Sequence, residues 1–411
     1  MRDFGSGARH SIALENTHNH ERVYPRNLAI TALLGILSRS ARLSPRHHVD
    51  REWGKKTGSV MAEDALRFID LFCGIGGIRL GFERACSAAR MQSECVYSAD
   101  IDDHACAMYR KNFAGDGHDP KSDVTKVTDL TKAMGRVDIV LAGFPCQAFS
   151  IAGSKRGFEE TRGTLFFDVA RIIEDRKPKA FILENVKGLV MHRSGRTLKR
   201  IIDILTHDLG YLSTRFQILN SLDFGVPQHR ERVYIVGFKE GGGGFKFPKP
   251  SDSTKRIEHI VEQKPVAAKY YLSEGYLAAA RAHRARHEAK GNGFGYEIRA
   301  WNDYAAAIVC GGMGRERNLL IDARLEDRTP QTHIRSPINA ENVRRMTPIE
   351  WERLQGFPDG WTAGVADTHR YRLLGNSVTV PVVNAVASAV MKELKNPLPF
   401  VERNPNLFQL A

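Results

Sequence analysis

The 411-residue chain contains no run of 18 or more apolar residues, whereas a membrane-spanning helix needs about 20. Its longest apolar stretch, residues 28–37, is too short to cross hydrocarbon and begins too far from the N-terminus for a secretory signal. Neither membrane insertion nor export is expected. Cysteine is scarce: Cys73, Cys86, Cys95, Cys106, Cys146 and Cys310 form no C-x-x-C pair, and none stands beside histidines at zinc-ligand spacing. This argues against a disulfide scaffold and a structural metal, and leaves each thiol as a small core residue or a reactive group. Internal repeats and low-complexity tracts are missing too. With 42% hydrophobic and 26% charged residues, the composition excludes a wholly disordered or collagen-like chain.

What the chain has is length for two or three folded units, and 60 Lys/Arg against 47 Asp/Glu, a net charge of +13. Such an excess favours a polyanionic partner such as nucleic acid; a solvated basic face is the alternative that charge alone does not remove. Residues 1–60 carry ten Lys/Arg, five Asp/Glu and five His and read as a basic, poorly ordered extension, with Met61 as an alternative start. Beyond it, apolar runs at residues 67–72, 94–99, 137–142, 180–183 and 232–238 alternate with amphipathic stretches. This is the pattern of a doubly wound α/β sheet, whose ligands collect beyond the carboxyl ends of its strands. The pattern loosens after residue 250. We expect a catalytic, cofactor-binding domain over 61–250, a smaller domain over 251–343, a linking segment over 344–370 and a C-terminal segment, 371–411, that completes the first domain. Residues 251–343 hold 14 Lys/Arg against 12 Asp/Glu, so nucleic-acid contact there depends on local placement. Helices are predicted over 276–290, 347–355 and 380–394.

The chemistry gathers where strands begin or end. The first run opens into Asp70-Leu71-Phe72-Cys73-Gly74-Ile75-Gly76-Gly77, whose glycines let a ligand approach the backbone; the spacing is neither that of a dinucleotide fingerprint nor that of a phosphate loop. Asp100 ends the second run, where such folds place a carboxylate on ribose hydroxyls. The third run leads into Gly143-Phe144-Pro145-Cys146-Gln147, with a cysteine where an α/β enzyme keeps a nucleophile; a buried structural cysteine is the alternative. Glu184-Asn185-Val186 follows the fourth run, so its carboxylate is expected on the same edge. Gln228-His229-Arg230-Glu231-Arg232 precedes the last, offering arginines to steady an anion or a pyrimidine carbonyl, or else an exposed ion-pair cluster.

Taken in order, and with Arg353-Leu354-Gln355-Gly356-Phe357-Pro358 and Gly375-Asn376-Ser377-Val378, these motifs resemble the DNA (cytosine-5) methyltransferases of bacterial type over residues 67–394. The resemblance implies a Rossmann-like methyltransferase sheet, a smaller target-recognition domain, and DNA in the cleft between them. It implies S-adenosylmethionine, leaving as S-adenosylhomocysteine, bordered by Phe72, Gly74, Gly76, Gly77, Asp100, Ile101, Asp123, Pro145, Leu165, Asn376 and Ser377. Asp100 would bind its ribose and Asp123 its adenine amino group. Ile101 stands where some relatives carry tryptophan, and would cover adenine with an aliphatic face.

Catalysis would rest on Cys146 attacking C6 of a flipped cytosine, with Glu184 at N3, Arg232 at O2, Arg230 organising the site, and no metal. Residues 150–163 would fold over the base. Ser150, Lys155 and Arg156 would meet DNA there, while Arg299, Arg315 and Arg317, with Asn302 and Asn318, would serve base reading. The expected setting is a monomer in a prokaryotic cytoplasm, associated with the nucleoid, acting on double-stranded DNA and paired functionally with a cognate restriction endonuclease. Two alternatives stand beside it: a tRNA cytosine-5 methyltransferase on the same framework, and a catalytically silent DNA-binding homologue.

Overall fold

The apolar runs become strands of one sheet. The computed structural model describes residues 65–145, 165–251, 254–293, 295–311, 314–328 and 337–401, all within one unit, Val60–Ala411. Strands β1 (Leu66–Leu71), β2 (Ser93–Ala99), β3 (Ile139–Ala142) and β4 (Ala180–Val186) pair in parallel. All four residues of β3 are buried, which is why it reads as a continuous apolar run and not as an alternation. The sheet continues through β5 (Arg215–Asn220) and, after the two-residue β6 (Gln228–His229), through β7 (Glu231–Phe238). The strand order is β2-β1-β3-β4-β7-β5.

β7 runs antiparallel to both β4 and β5, so the Rossmann-like sheet is parallel at its centre and mixed at one edge. That direction decides where the site lies. In the β4–β7 register Glu184 faces Tyr234 and Val186 faces Arg232, which brings the start of β7 to the carboxyl end of β4. Had β7 been parallel, Arg232 would lie at the opposite edge of the sheet from Glu184.

Helices α1 (Gly77–Ala88), α2 (Asp103–Asn112), α3 (Leu130–Met134), α4 (Leu165–Arg176), α5 (Gly188–Met191) and α6 (Arg196–Asp203) punctuate the strands. They are followed by α7 (Glu274–Glu288), α8 (Pro348–Gln355), α9 (Asp367–Asn376) and α10 (Val380–Lys395). Ile78 and Phe82 of α1 and Val383, Val386 and Val390 of α10 bury one face of the sheet, over Phe68, Ile139 and Ile182. Phe166, Val169 and Ile173 of α4, with Leu198 and Ile201 of α6, bury the other face over Ile69, Val140 and Leu183. This sandwich of apolar layers is the main stabilising element.

Residues between β7 and α8 form smaller pieces: β8 (Ala305–Ala306) pairs with β6, and β9 (Leu319–Ile321) pairs with β10 (Val343–Arg345). Leu272, Leu277, Leu319 and Val343 make a local cluster, and Ile257, Ile308 and Leu320 join Trp351 and Leu374 in another. Helix α8 starts with a Thr347–Glu350 capping box and Pro348 in its first turn, features that satisfy and pre-shape a helix N-terminus.

Below that cap Arg344, fully buried, holds Asp322 (2.8 Å) and Glu350 (2.8 Å), both fully buried as well. Arg344→Met would leave buried Glu350 with only the Glu262 and Thr347 N–H donors and Asp322 with Arg324 as its remaining cation, and should cost about 3–5 kcal/mol, seen as a lower urea midpoint.

Candidate active site

The first strand ends in a turn that bares its backbone. Phe72, a non-glycine, takes φ 56° and Gly74 φ 52°, and a Cβ on Gly74 would meet nothing within 4 Å. The Gly74 N–H donates to Asp100 Oδ2 (2.9 Å) and the Asp102 N–H to Asp100 Oδ1 (2.8 Å). This ties the turn to the end of β2. Burial pushes the Asp100 carboxyl upward, while these N–H donors pull it down. Arg372 of α9 grips Asp102 and drives its carboxyl down to about 2.

Beyond the strand ends lies a cavity of about 690 Å³, a size typical of small-molecule sites. Phe72, Gly74, Gly77, Asp100, Ile101, Asp123, Pro145, Leu165, Glu184, Arg230, Arg232, Asn376 and Ser377 all line it. Gly76 is absent from this wall. A Cβ there would come within 2.2 Å of the Phe113 ring, so this glycine serves helix–turn packing. Gly77 allows another close approach, since its Cβ would lie 2.7 Å from Ser377 Oγ. Asp123 lines the cavity with its carboxylate already engaged by the Thr125 N–H (3.1 Å), the Thr125 hydroxyl (2.7 Å) and Lys126 (3.2 Å).

Glu184 and Arg232 share the cavity wall, with Arg232 Nε 3.3 Å from Glu184 Oε1 and the carboxylate side chain only 12% exposed. Burial raises the Glu184 pKa, against the lowering pull of Arg232 and then Arg230. The turn that follows β3 passes beside this pair: a Cβ on Gly143 would sit 3.7 Å from Glu184 Oε2. Asn185 anchors the turn by donating from Nδ2 to the Phe144 carbonyl (2.8 Å). Cys146 lies outside the described residues, as do Ser150, Lys155, Arg156 and the rest of 150–163. Pro145, which precedes Cys146 in the chain, lies on the cavity wall.

Arg230 is buried and donates to the carbonyls of Ile308 (2.7 Å), Gly375 (3.2 Å) and Ser377 (2.6 Å). It thereby clamps two distant segments onto the sheet. Burial, followed by the neighbouring Arg232, pushes its pKa down to about 9. Beside it Gln228 Nε2 donates to the Leu354 carbonyl (3.0 Å), and Gln355 Nε2 to those of Leu374 (2.8 Å) and Ser377 (3.1 Å). These buried amides hold the cavity's walls together.

The residues expected to read bases are dispersed. Asn318 is fully buried with both ends of its amide on the Ala306 backbone (2.7 and 3.0 Å), so it supports the fold and cannot present itself to DNA. Arg299 is paired with Glu297 and Asp303, and Arg315 lies over the Tyr371 ring at 5.6 Å. Asn302 and Arg317 are exposed, and none of these five lines the cavity.

Sequence reasoning missed Val309 and Cys310 as cavity residues and the Arg372–Asp102 pair, because only the fold brings them there. Asn185 stood inside a motif already singled out. Among the described residues, Cys95, Asp116 and His118 offer ligand atoms within 4.8 Å of one another. Arg79 already binds Asp116 (2.8 Å), and burial raises the Cys95 thiol, so a resident cation opposes a metal there.

Comparison with known proteins agrees with this geometry. Residues 66–392 match the family model described as C-5 cytosine-specific DNA methylase. The Type II methyltransferase M.HpaII of Haemophilus parainfluenzae is 50% identical over 333 residues, covering 80% of this chain and 90% of that protein. M.NlaX of Neisseria lactamica, also a Type II methyltransferase, is 41% identical over 332 residues, covering 80% and 97%. Among solved structures, the Entamoeba histolytica methyltransferase EhMeth superposes with a TM-score of 0.60 at 18% identity, covering 81% of this chain and 99% of that one. For S. pombe Dnmt2 the values are 0.59, 20%, 80% and 99%; at such identities the likeness speaks for the fold alone. With its strand-end motifs gathered around one cavity and relatives this similar over most of its length, the chain belongs to the C-5 cytosine-specific DNA methylase family.

Proposed function

We propose that the chain methylates C5 of one cytosine within a specific duplex DNA site, with the base turned out of the helix and held covalently during transfer. The observation that carries this reading is the meeting of Glu184, Arg232 and the Pro145 turn in the cavity that also holds Asp100. Cytosine C5 is a weak nucleophile inside a base stack, so the enzyme must both extract the base and enrich its ring. The Cys146 thiolate gives its electron pair to C6, and the C5=C6 pair moves onto C5. Charge spreading to N3 and O2 is met by a proton held on Glu184 and by Arg232. The burial that raises Glu184 keeps that proton available. Later the C5 proton passes to a base, solvent being the simplest; its pair restores C5=C6, and the S–C6 pair returns to Cys146.

S-adenosylmethionine suits the residues present. The bared Gly74 turn accepts close approach, each Asp100 oxygen keeps a lone pair beyond its backbone bond, and Ile101, 69% exposed, offers a flat apolar cover. When bound, the cofactor supplies a methyl carbon made electrophilic by its sulfonium. Asp100→Ala should weaken S-adenosylhomocysteine binding about 10- to 100-fold, measured by calorimetry without DNA; unchanged affinity would remove Asp100 from the ribose role.

In this reading residues 61–250 and 371–411 perform catalysis, 251–343 select the target and 344–370 join them. Relatives named as Type II methyltransferases support a role in a restriction-modification system, acting on double-stranded DNA in a bacterial cytoplasm. Methylation sequencing of DNA from cells expressing the chain tests activity and returns the site at once. Methyl incorporation into tRNA with none into DNA would replace this reading.

A further inference from the structure

Building on the DNA substrate proposed above, we propose that the turn between α5 and α6 is a phosphate-gripping ridge that holds the duplex flank beside the flipped base. Residues 186–200 contain five Lys/Arg and no acid. They leave β4 directly after Glu184 and Asn185, and Val186 both lines the cavity and is 41% exposed. After α5 the chain makes a turn in which Arg193, Ser194 and Gly195 all take left-handed backbone, with φ of 52°, 56° and 81°.

Two consecutive non-glycine residues in that region are unfavourable, and persist only where neighbours impose them. Here the Ser194 N–H donates to the Met191 carbonyl (3.1 Å) and the Gly195 N–H to that of His192 (3.2 Å). His192 Nδ1 is fixed 2.6 Å from the hydroxyl of buried Thr197. Strain of this kind gathers at functional sites. What this turn achieves is display: Arg193, Arg196, Lys199 and Arg200 are all exposed, and Met191 at the crest is 74% exposed.

The cations are not equivalent. Lys187 pairs with Glu231, Lys199 with Asp203 and Arg200 with Asp208. Arg193 and Arg196 make no ion pair among the described residues, and Arg196 is oriented by its Nε donating to the Arg193 carbonyl (3.1 Å). Unspent guanidinium groups, one of them oriented by the backbone, match phosphate oxygens. From Val186 to Arg193 the backbone reaches at most about 20 Å, which is about six base pairs at 3.4 Å each. The ridge therefore meets the duplex close to the flipped base. An acidic protein or a second copy of the chain would be drawn to the same charge; the adjoining cavity, suited to a nucleobase, favours DNA.

The test compares the full chain with the R193Q/R196Q double variant and the charge-preserving R193K/R196K. Binding is measured by fluorescence anisotropy over about 50 to 200 mM salt. One duplex ends at the recognition sequence, and the other extends roughly one helical turn beyond it on each side. On the long duplex the glutamine variant should show a salt slope smaller by about 2 and binding roughly tenfold weaker at low salt. The lysine variant should keep most of the parent slope, and on the short duplex all three should agree. Equal slopes for parent and glutamine variant on the long duplex would overturn the ridge, as would an equal loss on both duplexes. Lost self-association at an unchanged DNA slope would assign the surface to a second copy instead. A parent that methylates DNA while its variants bind alike sinks the ridge alone; a parent that methylates no duplex sinks the function and the ridge together.

Discussion

Cys146→Ser should stop methyl transfer, lowering the single-turnover rate by on the order of 10⁴-fold or more, while binding of duplex and of S-adenosylhomocysteine stays near the parent's. A serine hydroxyl is far less acidic than a thiol, and the proposed mechanism needs Glu184 in its protonated form, so that carboxyl cannot take the hydroxyl proton. The turn leading to Cys146 is anchored beside Glu184. Asn185 pins the Phe144 carbonyl at 2.8 Å, and Gly143 runs past the Glu184 carboxylate. Labelled methyl incorporation and filter binding, run on the same preparations, separate chemistry from affinity; retained turnover would remove the covalent mechanism.

Glu184→Gln should lower the transfer rate roughly 10²- to 10⁴-fold and change its pH dependence in a definite way. The amide can still accept or donate a hydrogen bond, but it has no proton to give to N3. In the parent the rate should fall on the alkaline side as the acid form of Glu184 is depleted; in the variant that fall should vanish, leaving only the rise that thiolate formation brings. Stability should move with the opposite benefit. Because burial raises the Glu184 pKa in the fold, its stabilising contribution is complete below the unfolded carboxyl pKa, about 4.3, and is lost as pH rises through the folded value. The glutamine variant should therefore gain on the parent in urea midpoint as pH increases. An alkaline limb that survives in the variant would assign the proton to another group.

The order of motifs was readable because each stands where an apolar run begins or ends, and in an α/β sheet those positions share an edge. Asp100, Pro145 and Glu184 fall on one cavity for that reason. Strand direction was not readable: the apolar run of β7 looks the same either way, yet only the antiparallel pairing brings Arg232 to Glu184. β5 escaped because one residue of its six, Leu219, is buried, so an edge strand left no clear alternation. α9 is only weakly amphipathic by sequence, with Arg370 and Arg372 spent on ion pairs.

Side-chain type also misled where burial decided the outcome. Asn318 has the groups of a base reader and spends them on Ala306. Gly76 sits in a cofactor-type turn and makes room for Phe113. Conversely, Gln228 and Gln355 stood inside quoted motifs, but their work of joining remote segments appears only when those segments are folded together.

The covalent step itself can be caught directly. A duplex carrying 5-fluorocytosine at the target, incubated with the protein and S-adenosylmethionine, presents fluorine where the departing C5 proton would be, so the sulfur–carbon bond cannot be released. The account predicts a denaturation-resistant protein–DNA complex whose single modified peptide carries the nucleotide on Cys146, and no such complex with Cys146→Ser. Methylation of ordinary duplex without any trapped complex, or trapping through a different residue, would contradict it.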